Sequence, residues 1–155
     1  MLASAFTLMR AKADFIHQFI RHPRKMGSIT HLLARMQPQA ELDVFEISAP
    51  LADKLRALED SRMQVRHCSA EYLSGEYDAI ISGLPLLSLP PALRDNILRA
   101  VFNALGPDGI FVQFQYTSMT QPDLSRYFTW QRQRVLKNVP PAWVYRCRRG
   151  YAPCA

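Results

Sequence analysis

The run Tyr77-Asp78-Ala79-Ile80-Ile81-Ser82-Gly83-Leu84-Pro85 constrains the fold most, because an apolar strand pattern ends abruptly in residues that a buried strand does not tolerate. Ala79, Ile80 and Ile81 suit a strand covered on both faces, whereas Gly83 and Pro85 break a ladder. The break marks the carboxyl end of a sheet strand, which is where open α/β folds place their ligands. Further strand patterns occupy residues 42–47, 63–68 and 110–116, and helical spacing occupies 28–36, 49–59 and about 91–105. Gly106-Pro107-Asp108-Gly109 predicts a turn, and 134–139 with 142–148 predicts a closing hairpin around Pro140-Pro141. Strands alternating with helices predict an α/β layer architecture.

Near the start of the chain, Phe6, Met9, Phe15, Ile16, Phe19 and Ile20 recur at near-helical spacing and predict an amphipathic helix over about 3–21, ended by Pro23. Arg10, Lys12 and the cluster Arg21-His22-Pro23-Arg24-Lys25 flank its apolar face, so the basic segment 3–25 either lies in a membrane interface or packs on the sheet. With 155 residues the chain makes one domain, and 48% hydrophobic residues against 21% charged excludes disorder. No apolar run approaches the ~20 residues of a membrane span, and the first residues lack the pattern of a secretory signal. A cytoplasmic location is the expectation. Cys68, Cys147 and Cys154 lack metal-ligand or Cys-x-x-Cys spacing, which predicts reduced structural thiols and no metal site.

The net charge of +6 gathers in 21–25 and again from Arg126 to Arg149. It describes either a solvated basic surface or a face for an anionic partner, phospholipid or nucleic acid. Glu46, at the end of a strand pattern, has two readings: an acceptor for ribose hydroxyls, as in nucleoside-binding α/β folds, or a solvated acidic residue. His17, His22, His31 and His67 are scattered, and the carboxylates show no catalytic spacing.

Ser82-Gly83-Leu84-Pro85, Gln113-Phe114-Gln115-Tyr116, Val139-Pro140-Pro141-Ala142-Trp143-Val144-Tyr145, Glu46 and the segment 19–29 span most of the chain. In this order they resemble the motifs of the bacterial phospholipid N-methyltransferases, relatives of the ribosomal RNA adenine dimethylases. The resemblance implies a shortened Rossmann-like methyltransferase sheet with flanking helices and a C-terminal antiparallel hairpin. It also implies S-adenosylmethionine as cofactor, with Glu46 on the ribose and Ser69 and Ala70 near adenine. Backbone carbonyls of the turn formed by Ser82, Gly83, Leu84 and Pro85 would position the amine to be methylated. Tyr116 would hold a cationic head group by cation–π attraction or serve as a core or rim aromatic.

The acceptor implied is a phosphatidylethanolamine-type phospholipid, met peripherally at the inner membrane face. The alternative is a non-catalytic scaffold that binds anionic lipid or a protein partner. Nucleic acid fits less well, because Ser82 and Leu86 stand where the dimethylases carry an Asn and an aromatic.

One departure from the family pattern is specific. Relatives carry an acidic-Leu-Gly-x-Gly-Thr-Gly loop after a central strand, where only Gln37-Pro38-Gln39-Ala40-Glu41 stands here, and no glycine occurs between Gly27 and Gly75. With that strand absent, residues 42–47 and 77–82 are expected to pair directly.

Overall fold

The computed structural model describes residues 6–10, 29–135 and 141–150. Seven strands form one sheet: β1 Phe6–Arg10, β2 Glu41–Phe45, β3 Met63–Arg66, β4 Tyr77–Ser82, β5 Leu105–Gln115, β6 Phe128–Val135 and β7 Ala142–Arg149. Their order is β3-β2-β1-β4-β5-β7-β6. The helices are α1 Ile29–Leu33, α2 Ala49–Arg56, α3 Pro91–Ala104 and α4 Gln121–Ser125, with single 3-10 turns at Ala70–Tyr72 and Leu86–Ser88. This is the expected α/β architecture, with the antiparallel hairpin β6–β7 closing one side.

Alternation along the strands divides the core between the two faces of the sheet. On one face Ile80, Phe111, Tyr145 and Cys147 pack against Ile97, Leu98, Val101 and Ala104 of α3. Those four lie on a single stripe of the helix, which Pro91 starts by fixing φ where no intrahelical donor is needed. On the other face Leu42, Val44, Ala79, Ile81 and Val112 meet Leu32 and Leu33 of α1, with Leu55 of α2 at the margin. The Arg62 guanidinium closes the end of α1 by donating to the Leu33 and Met36 carbonyls at 2.8 and 3.1 Å. The Leu33 carbonyl also accepts from the Met36 N–H at 3.4 Å, and the guanidinium completes this frayed end.

Two expectations are corrected. Residues 42–47 and 77–82 do not pair with each other: β1 lies between them, antiparallel to both, with Phe6 opposite Phe45 on one side and Ser82 on the other. Residues 6–10 are therefore a strand and not the beginning of a helix, and the rest of the expected helix lies outside the described residues. The physical reason is the vacant slot. Each unpaired buried backbone group costs on the order of 1–3 kcal/mol, and a strand filling both ladders outweighs local helical periodicity.

The turn at Gly106–Gly109 is present in a modified form. Two steps along β4, Tyr77 to Ala79, are matched by five along β5, Leu105 to Ile110, so the extra residues bulge from the ladder. Gly109 folds back so closely that a Cβ there would stand 2.8 Å from the Leu105 side chain and 2.9 Å from the Gly106 carbonyl.

Candidate functional site

Strands β2, β3, β4 and β5 all run the same way, so their carboxyl ends share one edge. The chain turns outward to opposite sides from the middle of the sheet, and such a switch point leaves a crevice at that edge. Every site residue expected from the sequence lies along it or in the loops leaving it. Glu46 follows β2, Ser69 and Ala70 follow β3, Ser82 to Pro85 end β4, and Tyr116 follows β5.

Glu46 is buried, at 1% exposure, which rules out the solvated reading. Its Oε1 accepts from the Ser48 N–H at 2.7 Å, while Oε2 has no hydrogen-bond partner among the described residues. Next along the edge, His67 Nε2 donates to the Ile47 carbonyl at 3.0 Å and ties the loop after β3 to the loop after β2. Ser69 accepts the Glu71 N–H at 3.4 Å and caps the 3-10 turn, and Ala70 is buried beneath it.

The β4 turn is held from three directions. The buried Ser82 hydroxyl accepts the Leu84 N–H at 3.2 Å. Gln113 Nε2 and Gln115 Nε2 each donate to the Leu84 carbonyl at 2.9 Å, and Gln113 Nε2 also donates to the Phe114 carbonyl at 2.9 Å. Leu84 is thus fixed at both its amide and its carbonyl, and the turn is a rigid shelf at the edge. Both glutamines are buried side chains, and Gln113 Oε1 has no donor among the described residues. The sequence reading caught the glutamines only as part of a motif. The signal it missed is that two amides on the inward face of one strand need acceptors, which an abrupt turn in the neighbouring strand supplies.

Tyr116 is 70% exposed, a rim aromatic and not part of the core. Beyond it the hairpin brings more to this edge, since β6 runs parallel to β5 and β7 starts there. Trp143 lies opposite Gln115 in one ladder and Arg134 in the other. The guanidiniums of Arg132 and Arg134 stack over its ring at 4.3 and 5.4 Å from the centroid. At the opposite edge an open cleft of about 380 Å³ is lined by Asp43, Arg62, Arg66 and Tyr77 among others. There Asp43 accepts from the Tyr77 hydroxyl at 2.7 Å and pairs with Arg66 at 3.2 Å, a network already occupied with itself.

No family model matches the chain. Over 73 residues it is 34% identical to the ornithine lipid N-methyltransferase of Singulisphaera acidiphila, a stretch covering 46% of this chain and 38% of that protein. The matched stretch is thus well under half the length of that curated relative. The structure resembles N-methyltransferase NodS from Bradyrhizobium japonicum WM9, solved in complex with S-adenosyl-L-homocysteine, with a TM-score of 0.61. That likeness has 13% identity and covers 69% of this chain and 65% of the other. It also resembles the 1,6-didemethyltoxoflavin-N1-methyltransferase of Burkholderia thailandensis, with a TM-score of 0.55, 20% identity, and coverage of 68% and 59%. The fold is that of the class I methyltransferases.

Within this methyltransferase fold the nucleoside end and the methionine end of a cofactor fare differently. Glu46 offers a buried, unpaired acceptor and the Ser69–Ala70 turn stands beside it, so the residues present fit a ribose and its base. At the centre, β1 presents its amino end to the crevice and leaves the sheet at the far edge, where Arg10 lies opposite Glu41 in the ladder. The carboxyl end of β1 thus lies at the edge opposite the crevice.

Proposed function

We propose that this chain serves S-adenosylmethionine-dependent N-methylation, with an amine on a lipid head group as acceptor. The observation that carries the reading is Glu46 Oε2, a buried carboxylate oxygen without a donor among the described residues, at the edge where this fold holds nucleosides. Leaving it unpaired costs on the order of 1–3 kcal/mol, and a ribose diol brings the missing donors. The Ser69 oxygen accepts from Glu71, so its proton is free to donate to the base.

S-adenosylmethionine, when bound, supplies an electrophilic methyl group on a good leaving group. What the chain contributes is alignment, which is worth several kcal/mol of a barrier when the reacting atoms are held in line. Gln113 and Gln115 fix the shelf of Ser82, Gly83, Leu84 and Pro85 beside which the amine is held, and the exposed Tyr116 ring offers a face to its positive charge. A lipid acceptor is supported by the partial identity to an ornithine lipid N-methyltransferase and by the excess of basic residues. Among the described residues no helix is long and apolar enough to cross a membrane, and the lipid is met at a surface.

The reversed direction of β1 favours a second reading, a scaffold that binds lipid without turnover, because among the described residues the sheet's centre offers the methionine end no cradle. Calorimetric titration with S-adenosylhomocysteine separates the two. Saturable micromolar binding that falls at least tenfold in Glu46→Gln supports the methyltransferase. The substitution keeps the Ser48 contact and removes a buried charge, so the melting temperature will hold or rise. No heat at millimolar ligand leaves the scaffold.

A further inference from the structure

Charge in this chain is divided with unusual sharpness. After Asp123 there are seven arginines and lysines and no acidic residue, while the preceding part holds twelve basic and thirteen acidic residues. The excess therefore belongs to the last quarter of the chain, whose described part is mainly the β6–β7 hairpin. An edge strand carries charge to deter pairing with other chains, which accounts for cations on β6. On β7, Arg148 donates to the Asp108 carbonyl at 3.4 Å and the Arg149 guanidinium stacks over the Phe102 ring at 4.7 Å.

The arrangement at the hairpin's crevice end is more specific. Arg132 and Arg134 are exposed, and neither has a carboxylate partner among the described residues. Both planes rest on the Trp143 indole. Stacked in this way a guanidinium gives up little hydration and keeps its N–H edges free, the geometry suited to phosphodiester oxygens. Large apolar side chains are exposed in the loop that follows β5, the strand paired with β7. Tyr116 follows β5, and Met119, 72% exposed, stands two residues before Gln121, whose amide donates to the Tyr145 hydroxyl on β7 at 3.1 Å. Tyr116 directly follows Gln115, the ladder partner of Trp143, and Met119 lies in the same loop between β5 and α4.

We propose that this corner, Arg132 and Arg134 on Trp143 with Tyr116 and Met119, is the surface by which the chain docks on an anionic phospholipid bilayer. Cations for the phosphates beside amphipathic rings and a thioether for the acyl boundary are what a bilayer interface selects. Single-stranded RNA would also attract the arginines, but it gives Met119 nothing to enter. The inference rests on the lipid reading of the partner, though not on turnover. It sets the Leu84 shelf two strands from the bilayer contact, within reach of a head group.

The two tryptophans of the chain, Trp130 and Trp143, both lie on the hairpin, so the surface reports on itself. In Trp130→Phe, vesicles of brominated phosphatidylglycerol mixed with phosphatidylcholine will quench Trp143, and phosphatidylcholine alone will not. Each cation near such a surface contributes about fivefold to partitioning, so Arg132→Gln/Arg134→Gln will lower it about thirtyfold at physiological salt. Met119→Asp will lower it as well. Ile47→Asp will not: Ile47 is 67% exposed but follows β2, three strands from β5 in the sheet order.

Binding to vesicles without quenching, or undiminished in the double variant, overturns the proposal and places docking elsewhere. So does an absence of vesicle binding, or arginine-dependent binding to a poly(U) oligonucleotide in its place. Quenching with no calorimetric response to S-adenosylhomocysteine leaves this surface standing and removes only the catalytic reading.

Discussion

Replacing Gln113 and Gln115 together will cost more than the two single replacements added. The Leu84 carbonyl accepts both amides at 2.9 Å, and it faces the interior because both donors are buried. Gln115→Leu leaves the carbonyl with the Gln113 bond, a loss of about 0.5–1.5 kcal/mol. Gln113→Leu leaves it with the Gln115 bond and also frees the Phe114 carbonyl, but it removes an unpaired buried oxygen, so the net loss is again about 1 kcal/mol. The double variant leaves the carbonyl bare in an apolar setting and adds about 1–3 kcal/mol. A double-mutant cycle by urea denaturation will therefore give a coupling of at least about 1 kcal/mol, against the 0.3–0.5 kcal/mol expected of independent sites. Additivity within that margin would refute the reasoning, since it would mean that water takes the place of the amides and the shelf is not sealed.

Gly109→Ala forces a Cβ against the buried Leu105 side chain and the Gly106 carbonyl, so thermal unfolding will fall by a few degrees, for a cost of about 1–3 kcal/mol. The Arg62 side chain and backbone N–H hydrogen-bond the Asp60 carboxylate and hold its pKa at about 2, below the ordinary 3.8. That contact stabilises the folded chain above the ordinary value, and its contribution is lost as pH falls from about 4 towards 2. The melting temperature of Asp60→Asn will accordingly change less over that window than that of the unmodified chain. Burial pushes the Cys147 thiol well above its usual pKa, whereas Cys68 is half-buried. Maleimide labelling followed by peptide mass spectrometry will modify Cys68 in the native chain and Cys147 only after unfolding; native labelling of Cys147 would contradict its burial.

Legibility in the sequence followed how locally each element is determined. β4 was readable to the residue because its apolar run and its Gly-Pro stop lie side by side, and α3 because Pro91 fixes its start. The hairpin was legible around Pro140-Pro141, but β6 begins at Phe128, earlier than expected. The alternation of Phe128 and Trp130 was the available signal, masked by polar residues on the outward face. α4 was not foreseen, since five residues carry too little periodicity. β1 was unreadable in principle. Nothing within 6–10 says strand; the demand comes from two ladders about 35 and 70 residues away in sequence. For the site, position was legible and partners were not: Glu46 could be placed at a strand end, but its buried, half-satisfied state depends on neighbours brought together by folding.

The insertion of β1 makes five residues the keystone between two halves of the sheet, β3-β2 and β4-β5-β7-β6. Until that keystone seats, each half presents an unpaired strand border, β2 or β4, to any other copy nearby. Crowded synthesis, clipping of the first dozen residues or a bulky tag fused ahead of them would therefore favour self-association of the chain through its own middle.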